Sequence, residues 1–238
     1  GKIEGIIQEI SPSVMTIKIT QAKGKGSKLK ADKGINLPKS ELRISGLTEK
    51  DRQDLTFVAQ HADAVNFSFV NSKEDILDLF TELDRHESKI GVILKIETEK
   101  GFSNLPSILL TAMRKYPIGV MTARGDLAIE TGWKNFSTIQ QEIMRICAAA
   151  HIPNIWATQV LENLAKKGTP SRAEITDAAL SQQAECVMLN KGYYIQRAVR
   201  MLDKILRRMQ RFQRKSQRKL PRLETADKLV VSHQVFDV

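Results

Sequence analysis

Five short apolar runs, separated by stretches of helical periodicity, constrain this chain more than any other feature of its 238 residues. They are Ala64–Val70, Ile90–Glu97, Ile118–Thr122, Asn154–Thr158 and Cys186–Asn190. Each has the length of a strand and is too continuously apolar for a strand with one wet face, which predicts parallel strands covered on both sides. The intervening stretches carry helix-start signals: Ser72 with Asp75, Ser137 ahead of Ile139, Ile143 and Ile146, and Ser171 with Glu174 ahead of Ile175 and Ala179. A last helix from about Tyr193 sets Ile195, Val199, Leu202, Ile205 and Met209 on one stripe. Such alternation gives an α/β fold with a parallel sheet, either doubly wound or of (β/α)8 barrel type.

The polar residues choose between the two. Ser68, Lys95 with Glu97, Arg124 with Asp126, Thr158 with Gln159, and Asn190 all fall at the carboxyl ends of their runs. A barrel turns every such end toward one face and builds its site there, whereas a doubly wound sheet gathers its chemistry at one switch point. The barrel is therefore the expected architecture. Five strands cannot close an eight-stranded barrel, so the chain is expected to supply part of one. The expected domains are a β-rich segment over 1–36, a partial barrel over 37–209 and a basic tail over 210–238.

Ahead of the first run, Ile3 to Ala22 alternates loosely and is interrupted by Ser11-Pro12-Ser13, the pattern of a two-stranded hairpin. Gly24-Lys25-Gly26-Ser27-Lys28 lacks the spacing of a phosphate-binding loop and has no helical pattern after it, so a solvated turn is expected. The formal net charge of +10 raises nucleic acid or an anionic membrane as partner. Its distribution argues otherwise: eight basic residues and no acid lie between Arg207 and Arg222, and five lysines against Asp32 lie between Ala22 and Lys33. Without these two stretches the chain is close to neutral, so nucleic acid is not an expected partner. No apolar run approaches the roughly 18 residues of a membrane span, and no charged-then-apolar leader opens the chain. The two cysteines, Cys147 and Cys186, are expected as small buried hydrophobes in a reducing cytoplasm.

With a strand period of two, Lys95 and Glu97 project to one side and Ile96 to the other. A cation and an anion then face one cavity, either as an ordinary ion pair across the lumen or as reactive groups. Gly125-Asp126 at the next strand end can bring a second carboxylate near Glu97. Two carboxylates with open positions suit Mg²⁺ or Mn²⁺, and Lys95 would stabilise negative charge on a substrate. Ala123-Arg124-Gly125-Asp126-Leu127 reads either as a tight turn or as a turn into a helix whose amides favour a carboxylate or phosphate. The four histidines show no metal or triad spacing.

Taken in order, Lys33-Gly34-Ile35-Asn36-Leu37-Pro38, Leu47-Thr48-Glu49-Lys50-Asp51, Ser68-Phe69-Val70, Lys95-Ile96-Glu97, Ala123-Arg124-Gly125-Asp126-Leu127, Ala157-Thr158-Gln159-Val160-Leu161-Glu162 and Ser171-Arg172-Ala173-Glu174 resemble pyruvate kinase. The resemblance runs from about Gly1 to about Met209. It implies phosphoryl transfer from phosphoenolpyruvate to ADP, giving pyruvate and ATP, with Mg²⁺ or Mn²⁺ and usually K⁺. It implies that Glu97 and Asp126 hold the divalent ion, that Lys95 stabilises the phosphoryl group and the enolate, and that Thr158 lies beside the carbon that is protonated. The implied substrate contacts are Ser68, Ala123, Arg124, Gly125, Asp126, Thr158 and Gln159, with backbone amides near Gly125 and Asp126 receiving the carboxylate and Arg124 more structural. By the same resemblance the chain holds the end of a lid domain and the last five barrel strands. The K⁺ ligands, an arginine for the phosphoryl group and much of the ADP site would then lie elsewhere, and a homo-oligomer would cover the open edge.

One departure stands out. Where the family continues its last strand as M-L-S-G-E-T, this chain reads Met188-Leu189-Asn190-Lys191-Gly192-Tyr193, so the hydroxyl associated with proton delivery is not supplied. That change motivates a second reading, Mg²⁺-dependent enolate chemistry on pyruvate or phosphoenolpyruvate of the lyase type. A third keeps the fold as a regulatory or binding module.

Overall fold

The structure, a computed structural model, describes residues 3–29, 31, 34–38, 40 and 46–210. Lys30, Asp32, Lys33 and the expected basic tail from Arg211 onward lie outside the described residues. The chain divides into two units, residues 1–37 and 38–238.

In the first unit β1 (Ile3–Ile10) and β2 (Met15–Ala22) pair antiparallel, with Ile10 opposite Met15. The turn closes where Ser11 donates its backbone N–H to the Val14 carbonyl at 2.8 Å and accepts the Val14 N–H on its hydroxyl at 3.2 Å. Gly5 sits at a break in register, and a Cβ there would come within 2.6 Å of Ile17 Cγ2, so the close crossing of the strands requires glycine. Lys23 to Gly26 forms a hydrogen-bonded turn with Gly26 at φ 79°, as expected for a solvated loop.

The second unit is a curled, five-stranded parallel sheet, part of a barrel wall. Its strands are β3 (Ala64–Phe67), β4 (Gly91–Ile96), β5 (Ile118–Ala123), β6 (Asn154–Val160) and β7 (Cys186–Leu189), in that spatial order. Each strand bonds only to its predecessor and successor, and the order never reverses, which excludes a doubly wound sheet. Ile96 lies opposite Thr122 and Thr122 opposite Trp156, so β4, β5 and β6 reach a common level at their carboxyl ends.

Helices alternate with the strands. They are α1 (Glu49–His61), α2 (Lys73–Arg85), α3 (Glu99–Ser103), α4 (Leu105–Ala112), α5 (Arg124–Thr131), α6 (Trp133–Ala149), α7 (Glu162–Lys167), α8 (Arg172–Leu180) and α9 (Ile195–Met209). Thr48, Ser72 and Ser171 each start a helix through a reciprocal capping box, with Asp51, Asp75 and Glu174 as the returning carboxylates. Along β4 the alternation is strict: Val92, Leu94 and Ile96 are fully buried and join Ile76, Leu79, Leu83, Leu105 and Ile108 of the helices in one core, while Ile93 and Lys95 are only partly covered. A second core gathers around Trp156, Val160, Leu161, Leu164, Ala178, Ala198 and Leu202.

Three expectations need correction. Ser137 does not start a helix: α6 begins earlier, at Trp133, because Gly132 at φ 76° turns the chain between α5 and α6. On α9 Val199 is exposed, and Ala198 and Leu206 complete the packed stripe of Ile195, Leu202 and Ile205. Cys186 is exposed on β7, which pairs on one side only among the described residues, whereas Cys147 is buried as expected. No helix among the described residues is long and apolar enough to cross a membrane.

Candidate active site

The carboxyl ends of β3 and β4 form one hydrogen-bonded cluster. Lys95 Nζ lies 3.0 Å from Glu97 Oε1 and donates to Ser68 Oγ at 2.8 Å, while Glu97 Oε2 accepts the backbone N–H of Phe69 at 2.7 Å. The side chain of Glu97 is 4% exposed and that of Lys95 23%, so the ion pair is sheltered, the lysine less completely than the glutamate. Phe69 makes its contact from the left-handed region, at φ 53°.

At the end of β5, Ala123 is buried and the chain enters α5 directly, placing Asp126 in the first helical turn, where the helix dipole favours a carboxylate. Arg124, nine-tenths buried, turns toward β6 and α8. Its guanidinium donates to the carbonyls of Ala157 at 3.0 Å and Thr158 at 2.6 Å, grips both carboxylate oxygens of Asp177 and stacks 4.4 Å from the ring of Trp156. Trp156 Nε1 donates to the same aspartate at 3.3 Å. Arg124 therefore holds the end of β6 instead of facing the cluster around Lys95.

That strand end is conformationally unusual. Thr158, Gln159 and Leu161 have φ of 71°, 59° and 47°. Side chains with a Cβ adopt this region at a cost of roughly 1–2 kcal/mol each, which the carbonyl contacts of Arg124 help to offset. Thr158 Oγ1 is buried without a hydrogen-bond partner, and a Cβ built on Gly125 would lie 3.5 Å from it, so the hydroxyl faces the turn into α5. A buried hydroxyl with no partner is an exception that calls for a ligand or a water. Gln159 is exposed. At the end of β7, Asn190 Nδ2 donates to Glu162 Oε1 at 3.3 Å, and a hydrogen bond from Lys166 holds the Glu162 carboxyl below its ordinary range.

Sequence patterning singled out Lys95, Glu97 and Ser68, and these three meet. Gly125 and Thr158 also meet. Among the described residues no three His, Cys, Asp or Glu side chains gather as a metal cluster. Asp177 and the Phe69 amide escaped the sequence reading. For Asp177 the one available signal is an acid on α8 beside Ala178, which is buried; for the amide, which carries no side-chain signature, there is none.

The chain matches the family model for the pyruvate kinase barrel domain over residues 1–199. It is 39% identical over 169 residues to the pyruvate kinase of Hypocrea jecorina, covering 68% of this chain and 30% of that protein. With pyruvate kinase PKLR of Rattus norvegicus it shares 34% identity over 214 residues, covering 87% and 36% respectively. With the pyruvate kinase of Clostridium perfringens it shares 33% over 194 residues, covering 80% and 39%. The chain thus spans about a third of the length of these curated relatives.

Proposed function

The chain belongs to the pyruvate kinase family, and from that premise we propose that it carries the phosphoenolpyruvate-handling side of phosphoryl transfer to ADP, the reaction that yields pyruvate and ATP. The observation that supports this best is Lys95, its ammonium held between Ser68 Oγ and Glu97 Oε1 on a side chain that is only partly buried. Phosphoryl transfer needs a positioned cation more than a strong nucleophile. As the bond between phosphorus and the enol oxygen breaks, Lys95 is the group in this chain that takes up the negative charge left on that oxygen.

The donor set suits a hard divalent cation. Glu97 and Asp126 offer oxygen only; Glu97 Oε2 accepts one hydrogen bond, from the Phe69 N–H, and Oε1 lies 3.0 Å from Lys95 Nζ, leaving lone-pair capacity for a metal such as Mg²⁺ or Mn²⁺. Bound there, the ion would neutralise charge on the transferring group. The amides opening α5, around Gly125 and Asp126, would receive the substrate carboxylate. The Thr158 hydroxyl, buried, unpartnered and close to Gly125, would hold the proton network beside the enolate carbon. Arg124 would act indirectly, by fixing the Thr158 backbone.

Pyruvate formation from phosphoenolpyruvate, ADP and Mg²⁺ by the full-length polypeptide tests this reading. Lys95→Met should lower kcat by about 100- to 1,000-fold, as loss of one charge-stabilising group does elsewhere; unchanged turnover would remove the role given to Lys95. Asn190 favours a second reading, enolate chemistry without ADP, because its amide is committed to Glu162 and brings no hydroxyl to the end of β7. Metal-dependent exchange of pyruvate methyl protons for deuterium, without ATP formation, would select it.

A further inference from the structure

The cluster around Glu97 is braced by a residue outside it. Asn71, two positions after Phe69, uses all its polar groups. Its Nδ2 donates to the Phe69 carbonyl at 2.8 Å, its Oδ1 accepts the Thr98 hydroxyl, its backbone carbonyl accepts Asn104 Nδ2 at 2.7 Å, and its backbone N–H donates to the Asp75 carboxylate at 2.9 Å. Thr98 in turn accepts the Gly101 N–H at 2.9 Å as the cap of α3. Asn71 thereby ties the loop after β3 to the loop after β4, and Glu97 lies between the tied points.

The left-handed backbone of Phe69 is the link. A phenylalanine at φ 53° must be held there, and with the residue 47% exposed its ring is not anchored in the core. Two polar contacts remain: Glu97 on its N–H and Asn71 on its C=O. We propose that Asn71 is a positioning residue for Glu97: by holding the Phe69 carbonyl it fixes the left-handed backbone of Phe69, so that the N–H on the other side of the same Cα orients the carboxylate that the proposed function assigns to the divalent ion. This rests on that assignment. Groups that orient a metal ligand typically affect metal affinity by about 10- to 100-fold.

The test is Mn²⁺ titration of the whole chain, followed by electron paramagnetic resonance, with amide hydrogen exchange at Phe69 read by NMR on the same variants. Asn71→Ala should weaken Mn²⁺ binding about 10-fold and remove protection of the Phe69 amide. Thr98→Val should follow it, and Thr98→Ser, which restores the hydroxyl, should rescue both readouts. If Asn71 merely stabilised the loop, Asn71→Ala would lower the melting temperature and leave both readouts of the folded protein unchanged, which overturns the proposal. Binding abolished by Glu97→Gln but indifferent to Asn71→Ala refutes Asn71 alone. Absence of Mn²⁺ uptake, or uptake indifferent to Glu97→Gln, refutes the metal assignment and the proposal with it.

Discussion

Removing the carboxylate of Asp177 should destabilise the partial barrel far more than its single position on α8 suggests. Asp177→Ala leaves the guanidinium of Arg124, in a residue only 9% exposed, without its counter-ion, and leaves the Trp156 N–H without its acceptor. Removing one partner of a fully buried pair costs about 3–5 kcal/mol, and with the Asp177 side chain 24% exposed that range is the upper figure here, still a large share of the roughly 5–15 kcal/mol that holds a typical domain together. Asp177→Asn keeps an oxygen for Trp156 and one arginine nitrogen but no charge, and should cost about 2 kcal/mol. The assay is urea unfolding followed by tryptophan fluorescence: Trp156 is fully buried and reports the core, whereas Trp133 is 73% exposed and changes little. With a slope of about 2–3 kcal/mol per molar urea, Asp177→Ala should lower the midpoint by up to roughly 1–2.5 M. A loss below about 1 kcal/mol, the worth of an exposed pair, would refute the claim that this contact is desolvated and holds the end of β6.

Two further outcomes can be checked directly. Gly101→Ala would place a Cβ 2.3 Å from the Val70 carbonyl, an overlap that backbone movement must relieve, so a loss of about 1–3 kcal/mol is expected in the same unfolding assay. Burial pushes the Cys147 thiol up to about 12, keeping it protonated at pH 8, while Cys186 is exposed; an aromatic disulfide reagent should therefore titrate one thiol in the native chain and both of the two after unfolding.

The legible parts of this fold were those whose signal is local. The strands could be read because each is a short, largely apolar run, although the expected cover on both faces is not met in every strand: β4 is fully buried on one face only and β7 has no fully buried residue. The starts of α2 and α8 could be read because Ser72 with Asp75 and Ser171 with Glu174 carry both halves of a capping box. Ser137 was misleading because a serine inside a helix looks like a cap when the true boundary is a glycine turn, at Gly132. Lys95 and Glu97 were legible through the two-residue period of β4. The clamp on Arg124 was not, since its partner lies 53 residues away on a helix whose own pattern gives no hint of an ion pair. Nor was the role of Phe69, whose contribution is a backbone N–H in a left-handed conformation that any residue name conceals.

The sequential strand order also bears on how the chain comes to be folded. The first core draws on residues from Leu47 to Ile152 and the second on residues from Met144 to Leu202, so the two are stacked along the chain with almost no interleaving. Each new strand needs only the one before it, and no ring closure spans the whole length before a contact forms. During synthesis at about 5–20 residues per second, the first core can be complete before β6 has left the ribosome. The wall can then grow by accretion, one strand and helix at a time, with the end of β4 in place before the residue that clamps the end of β6 has been made.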